Sequence, residues 1–336
     1  MRPWLLLPPQ LAHDLTSLAL PVISFIHGKK TPHWNSFTWK DMTFANPVGI
    51  AGGVDKNADH LNDWWKLGCG FVEVGTVTPL AQKANPGKIM DRDKDLHAMW
   101  NKMGFPSHGA DEVFYNLQSY APNFRTPVFV NIGKNRKTPN PEAVKDYLYL
   151  VDKFRPFADA FVVNISSPNT QGLRELQKKE NLRDLLGPII DRVSHFEPTP
   201  VLVKLSPDMG EEGLAEAVQN CQELGVDGFV LTNTTLSRPS NCHFPKEGGL
   251  SGAPLKDLSQ RALQIAVQTL GKNRTGKLIV SAGGIMTPED VFERLQMGAD
   301  LVQIYSALVF HGPGFFHDVA RRYNDRRSVS YTHLTL

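Results

Sequence analysis

The chain has 336 residues, 41% hydrophobic and 21% charged, which is enough to bury a large core and too apolar for a disordered chain. Its net charge of +2 carries no global signature of a nucleic-acid partner, and three cysteines without a CxxC pair exclude a disulfide scaffold and fit a reducing compartment. No segment reads as a bilayer span: Leu15 to Ile26, the longest uncharged run near the N-terminus, contains Pro21 and falls short of the ~18 residues needed. A secretory leader is not expected either, because Arg2 is the only early cation, Pro8 and Pro9 break the apolar run, and no small-residue cleavage site follows.

Residues 1–40 place Leu11, Leu15, Leu18 and Ala19 on one helical face, then Val22, Ile23, Phe25 and Ile26 after Pro21. The pattern predicts two short helices with apolar faces, followed by Lys29, Lys30 and Lys40. Such a pair either caps the core or lies on a membrane surface, apolar side down, with the lysines near the headgroups.

From residue 41 short apolar runs alternate with helical patterns. The predicted strands are Pro47–Ala51, Phe71–Gly75, Val128–Ile132, Ala160–Ile165, Val201–Leu205, Gly228–Thr232, Leu278–Ser281 and Leu301–Tyr305. Among the helices, Glu212–Leu224 carries Leu214, Ala217, Val218, Cys221 and Leu224 at helical spacing. Pro288–Met297 opens on Thr287 as N-cap, has Glu289 and Asp290 in its first turn, and closes at Gly298. This alternation predicts an α/β fold, a (β/α)8 TIM barrel over residues 41–325, rather than a doubly wound sheet. Leu236–Leu250 reads as a long loop of the kind that forms lids. Ser328–Leu336 (SVSYTHLTL) shows no helical pattern, so the tail 326–336 is expected to be disordered or foreign to the fold.

The C-terminal strand ends of a barrel converge on one mouth. The fourth is the most informative: in FVVNISSPNT an apolar run stops at Asn164, Ser166, Ser167, Asn169 and Thr170, and Pro168 cannot continue a ladder. Alone, this reads equally well as a polar turn. Polar residues recur, however, at the other ends: Gly52, Gly53, Asp55 and Lys56; Thr76; Asn131; Lys204; Thr232, Asn233 and Thr234; Gly283 and Gly284; Gln303, Tyr305 and Ser306. Carboxamides both donate and accept, which suits a planar, uncharged heterocycle such as a pyrimidine or a flavin. Gly283–Gly284, ahead of the helix capped at Thr287, predict a phosphate site where barrels commonly have one. Lys204 stands in the apolar strand VLVKLSP, where an unpaired ammonium is costly and an anionic ligand would offset that cost. No GxGxxG, Walker A or HExxH motif occurs, and no metal site is expected.

The segments GGVDKN (52–57), GTVTP (75–79), NKMGF (101–105), NIGKN (131–135), NISSPNT (164–170), KLSPD (204–208), TNTT (232–235), GGLSG (248–252), AGGI (282–285) and QIYS (303–306) resemble those of the dihydroorotate dehydrogenase family, in family order across nearly the whole barrel. The resemblance implies an FMN-containing (β/α)8 barrel that oxidises dihydroorotate to orotate in pyrimidine synthesis. The soluble class of the family has a cysteine as base and no N-terminal helical extension. Ser167 and residues 1–40 point instead to the quinone-reducing, membrane-associated class. The resemblance makes Ser167 the base that removes the C5 proton, with the C6 hydride passing to one non-covalently bound FMN. It assigns the substrate to Lys56, Asn101, Lys102, Met103, Gly104, Phe105, Asn164, Asn169, Asn233 and Thr234. FMN falls to Gly52, Gly53, Val54, Asp55, Lys56, Thr76, Asn131, Asn164, Lys204, Thr232, Gly252, Gly284, Tyr305 and Ser306, with Lys204 stabilising the reduced flavin. His13, Arg92 and Tyr305 would line a tunnel for a membrane quinone, and GGLSG would form part of a lid. A peripheral position on a membrane follows, on the cytoplasmic side of the inner membrane in a bacterium. A monomer fits this picture and nucleic acid has no part in it. The chain departs from the family pattern at Lys102, where Arg is usual, and at Pro106–Ser107, where paired Asn is usual; Lys102 keeps the charge but not the fork geometry. Two other readings are a soluble relative that uses fumarate or NAD, and a catalytically silent flavin-binding module.

Overall fold

The computed structural model describes residues 3–28, 31–120, 126–195 and 198–332. A helix α1 (Pro9–His27) precedes a hairpin of β1 (Phe37–Trp39) and β2 (Met42–Phe44). Then come β3 (Val48–Asp55), α2 (Leu61–Lys66), β4 (Val72–Val77), an inserted hairpin β5 (Met90–Asp93) and β6 (Ala98–Asn101), and α3 (Ala110–Tyr120). The chain continues through β7 (Val128–Ile132), α4 (Ala143–Phe154), β8 (Ala160–Asn164), α5 (Lys179–Ser194), β9 (Val201–Leu205) and α6 (Glu211–Glu223). It ends with β10 (Gly228–Leu231), β11 (Gly249–Gly252), α7 (Lys256–Leu270), β12 (Leu278–Ala282), α8 (Pro288–Gln296), β13 (Leu301–Ile304), α9 (Ser306–His311) and α10 (Phe315–Thr332). Strands β3, β4, β7, β8, β9, β10, β12 and β13 close a parallel barrel in that order, each overlapping one of the predicted strands.

The inward faces of these strands explain where the chemistry sits. Phe71, Phe129, Val162, Leu202, Val230, Val280 and Leu301 fill the lower barrel as one apolar cluster. Two residues further along, the strand period returns to the same face. There the side chains are Glu73, Asn131, Asn164, Lys204, Thr232, Ala282 and Gln303, so a polar layer rests on an apolar one. The hairpin β1–β2 plugs the other end. Phe44 packs against Phe37, Phe71 and Phe129 with ring centroids 4.9, 6.0 and 6.3 Å apart.

Four expectations need correction. First, α1 is one continuous helix rather than two. Pro21 removes a single backbone donor, while Ala12, Leu20 and Ser24 are buried and Leu20 joins the core cluster of Leu61 and Trp64, which outweighs that loss. Second, the N-terminal segment ends near Gly28, not at residue 40. Thr31 donates to the Trp65 carbonyl (2.9 Å), Trp34 packs against Tyr323 and Phe292, and Trp39 donates to the Gly276 carbonyl (3.0 Å), so these residues belong to the barrel. Lys40 pairs with Asp227, just before β10 begins, and therefore lies at the end opposite the mouth; Lys29 and Lys30 fall outside the described residues. Third, α10 continues to Thr332. Its preceding turns are anchored by Arg322 on Glu289 (2.8 Å) and Arg326 over the Phe292 ring, and extending a formed helix needs only one further bond per residue; residues 333–336 lie outside the described residues. Fourth, the GGLSG segment is not free loop: β11 pairs antiparallel with β6, which pairs with β5, forming a small sheet.

Candidate active site at the barrel mouth

One cavity lies at the C-terminal mouth. Of the residues predicted to bind substrate or cofactor, Gly52, Gly53, Lys56, Thr76, Asn101, Met103, Gly104, Phe105, Asn164, Ser167, Asn169, Lys204, Thr232, Asn233, Thr234, Gly252, Gly284, Tyr305 and Ser306 line it. The sheet of β5, β6 and β11 contributes Met90, Met99, Asn101, Ser251 and Gly252 to its wall.

Carboxamides are locked together across the floor. Asn164 Nδ2 donates to Thr76 Oγ1 (2.9 Å) and Asn131 Oδ1 (3.2 Å), and Asn233 Nδ2 donates to Ser166 Oγ (3.0 Å). Asn169 Nδ2 donates to Asn101 Oδ1 (2.8 Å), tying the strand-end motif to the overlying sheet. Ser167 is 5% exposed, and its Oγ accepts from the Asn169 amide (3.2 Å). Two buried acceptors in the wall, Asn169 Oδ1 and Gln303 Oε1, have no protein partner among the described residues. A ligand bearing N–H groups would satisfy them.

Gly283 and Gly284 have φ of +105° and +72°, a region closed to most side chains, and a Cβ on Gly284 would lie 2.2 Å from the Lys256 Cα. The Gly283 carbonyl is held by Ser259 Oγ (2.8 Å) and by the buried Arg294 Nη2 (3.1 Å). The expected use of the α8 N-terminus is corrected. Thr287 and Asp290 form a capping box, and the Met286 and Thr287 amides both donate to Asp290 Oδ2 at 2.8 Å. The glycine turn and Ser306 still line the cavity.

Several predicted residues lie elsewhere. Asp55 turns away and accepts from the Asp59 and His60 amides (2.8 and 3.0 Å), and burial pushes its carboxyl up to about 6. Val54 does not line the mouth cavity but a second one described below, at a stretch where the register of β3 against β4 is irregular between Ile50 and Asp55. Lys102 points outward to Glu247. Asn131, in the same layer as Asn164 and Lys204, does not line the cavity and donates to Glu73 Oε1 (2.5 Å). Lys204 does not await an anion from outside, since its Nζ lies 3.0 Å from Glu73 Oε1. Glu73 escaped the sequence reading although it stands in the equally apolar FVEVG.

A second, mainly apolar cavity lies between α1 and the barrel, lined by Leu7, Ala12, His13, Leu20, Val54 and Arg92 among others. Met90, Met99 and Tyr305 line both cavities. The two also meet where Lys56 Nζ lies 3.0 Å from His13 Nε2. Burial lowers Lys56 to about 8, and burial followed by the Lys56 charge lowers His13. Burial raises Tyr305 to about 12. Arg92 Nη2 donates to the Trp4 and Leu7 carbonyls and so fastens the turn before α1.

A sequence profile described as Dihydroorotate dehydrogenase matches residues 36–326. A dihydroorotate dehydrogenase (quinone) of Halobacterium salinarum is 40% identical over 95% of this chain and 90% of its own length. That of Marinobacter nauticus is 38% identical over 93% of this chain and 94% of its own. Among solved structures, a DHODH of Eimeria tenella in complex with ferulenol superposes with a TM-score of 0.87 at 31% identity, covering 96% of this chain and 92% of that one. With a closed eight-stranded barrel, a serine-bearing polar mouth and relatives of this identity along its length, the chain belongs to the dihydroorotate dehydrogenase family, in its quinone-dependent class.

Proposed function

We propose that the chain oxidises dihydroorotate to orotate in pyrimidine biosynthesis, with FMN as cofactor and a membrane quinone as final acceptor. The observation that carries this reading is the pair of cavities, one polar and one apolar, which share Met90, Met99 and Tyr305. FMN fits the polar cavity: the orphan acceptor Gln303 Oε1 suits a ring N–H, and the left-handed Gly283–Gly284 turn suits a phosphate. Gly52, Gly53, Thr76, Lys204, Thr232, Gly252, Gly284 and Ser306 would hold it. FMN, when bound, supplies the acceptor for the substrate's hydride and relays electrons to the quinone.

The protein's own part is to orient the substrate and take its proton. Lys56 holds the carboxylate, while Asn101, Asn164, Asn169, Asn233 and Thr234 hold the ring by amide and hydroxyl contacts. Ser167 takes the C5 proton as its own hydroxyl proton passes on along a hydrogen-bonded route, in a setting that excludes bulk water. Phe105, Met103 and Gly104 close the side of the cavity. The α1 face bearing Leu18 (76% exposed), Phe25 (86%) and Ile26 (65%) rests on the bilayer and opens the apolar cavity toward lipid-dissolved quinone. No helix among the described residues is long and apolar enough to cross a membrane, in keeping with a peripheral mode.

Anaerobic mixing with dihydroorotate is expected to bleach the flavin, and adding a quinone to restore its colour. A yellow protein that dihydroorotate leaves unbleached would refute the proposal. A pH dependence follows from Lys56. In the substrate-free protein its charge is present below about 8 and lost above it, so dihydroorotate affinity should fall roughly tenfold per unit as the pH rises from 8 to 10. Titration of flavin absorbance with orotate, which carries the same carboxylate and does not bleach the flavin, measures this, and a flat affinity across that range would remove Lys56 from the carboxylate site.

A further inference from the structure

Glu73 stands on β4 beneath the mouth cavity with no exposed surface. Its Oε1 accepts from Lys204 Nζ (3.0 Å) and Asn131 Nδ2 (2.5 Å), and its Oε2 from Gln303 Nε2 (2.5 Å). Gly52 crosses directly over it, and a Cβ there would lie 2.2 Å from Oε1. The carboxylate is thus boxed into one position by three donors and a backbone. A buried ion pair is a weak device for stability, because desolvating both ions offsets their attraction. Its consequence lies instead with Lys204, which lines the cavity while Glu73 does not.

We propose that Glu73 is a positioning residue that fixes the Lys204 ammonium at the cavity floor and sets how readily the bound flavin takes up electrons. This rests on the FMN reading above. Reduction adds negative charge to the ligand. Lys204 favours that charge from the near side, and Glu73 opposes it from behind, so the pair holds the flavin below the potential that Lys204 alone would give it.

Glu73→Gln removes the opposing charge with little change of shape. The new amide keeps its oxygen toward Lys204 and Asn131, while the bond from Nε2 of Gln303, whose Oε1 faces the flavin, is lost in this variant. In anaerobic dye-coupled titrations of the purified holoprotein, Glu73→Gln is expected to raise the ratio of reduced to oxidised flavin about tenfold at a fixed dye potential, about 30 mV for a two-electron couple. The double variant Glu73→Gln with Lys204→Gln is expected to fall below wild type, because the nearer positive charge has gone as well. Loosened packing would shift both variants the same way, and that result, or an unchanged ratio in Glu73→Gln, overturns the proposal. If Glu73→Gln does not retain flavin, Lys204→Gln is compared with the double variant: removing Glu73 must still raise the ratio, and a failure to do so counts against it equally. Wild-type protein that bleaches normally with dihydroorotate separates these outcomes from failure of the functional reading, and wild type without flavin would sink both.

Discussion

Ser167→Ala is expected to slow dihydroorotate-driven bleaching of the flavin at least ~100-fold near neutral pH while FMN stays bound, the lower end of what a positioned general base contributes. A serine hydroxyl is a weak base, and its surroundings must supply the rest. Ser167 follows the end of β8, in a cavity wall where it is 5% exposed. Its Oγ accepts one hydrogen bond, from the Asn169 amide, which orients its remaining lone pair. The substitution deletes one oxygen and leaves that single amide unmatched, at about 1–3 kcal/mol, too little to unfold a barrel of this size. Single-turnover absorbance after rapid mixing separates the proton step from quinone chemistry. A rate within a few-fold of wild type would remove Ser167 from the base role, even with every other contact intact.

The barrel was legible because its strands are buried on both faces. Such strands read as unbroken Val, Ile and Leu runs, and Val201–Leu205 and Val128–Ile132 match prediction residue for residue. The site was legible for the same reason: polar residues that end eight apolar runs have only one place to meet. Elements held by long-range pairing were not. Strands β5, β6 and β11 are four residues each, and Gly249–Gly252 becomes a strand only because Ala98–Asn101, far away in sequence, lies alongside it. Pro21 looked like a helix boundary because local rules cannot weigh one lost hydrogen bond against the burial of Leu20. Glu73 is more instructive. The cost of an unpaired ammonium in an apolar strand singled out Lys204, and the same cost applies to a carboxylate in Phe71–Gly75. Two opposite charges on buried strands of one barrel predict each other as partners. Applied to both, that reasoning would have found the pair and removed the need for an external anion at Lys204.

Removing residues 1–28 is expected to abolish turnover with quinone while bleaching by dihydroorotate persists within a few-fold. The two half-reactions depend on different parts of the chain. Every residue lining the polar cavity lies at Ala51 or beyond, so the deletion takes nothing from its wall. The apolar cavity, by contrast, draws Trp4, Leu7, Ala12, His13, Thr16, Leu20 and Ile23 from the deleted segment. The cut is placed after Gly28 because Thr31 and Trp34 are anchored in the barrel, and a deletion to residue 40 would also strip the Trp34 packing and strand β1, confounding lost quinone access with lost stability. Loss of α1 uncovers Trp64 and Leu61, so the truncated protein should be handled in detergent, and the His13 contact to Lys56 goes with it, which accounts for a modest change in substrate affinity. A soluble dye that oxidises the reduced flavin directly supplies the control: it should sustain turnover in the truncated protein where a lipophilic quinone cannot. If quinone turnover survived undiminished, electrons would be leaving by another face of the barrel, and the apolar cavity beneath α1 would have no part in the second half-reaction.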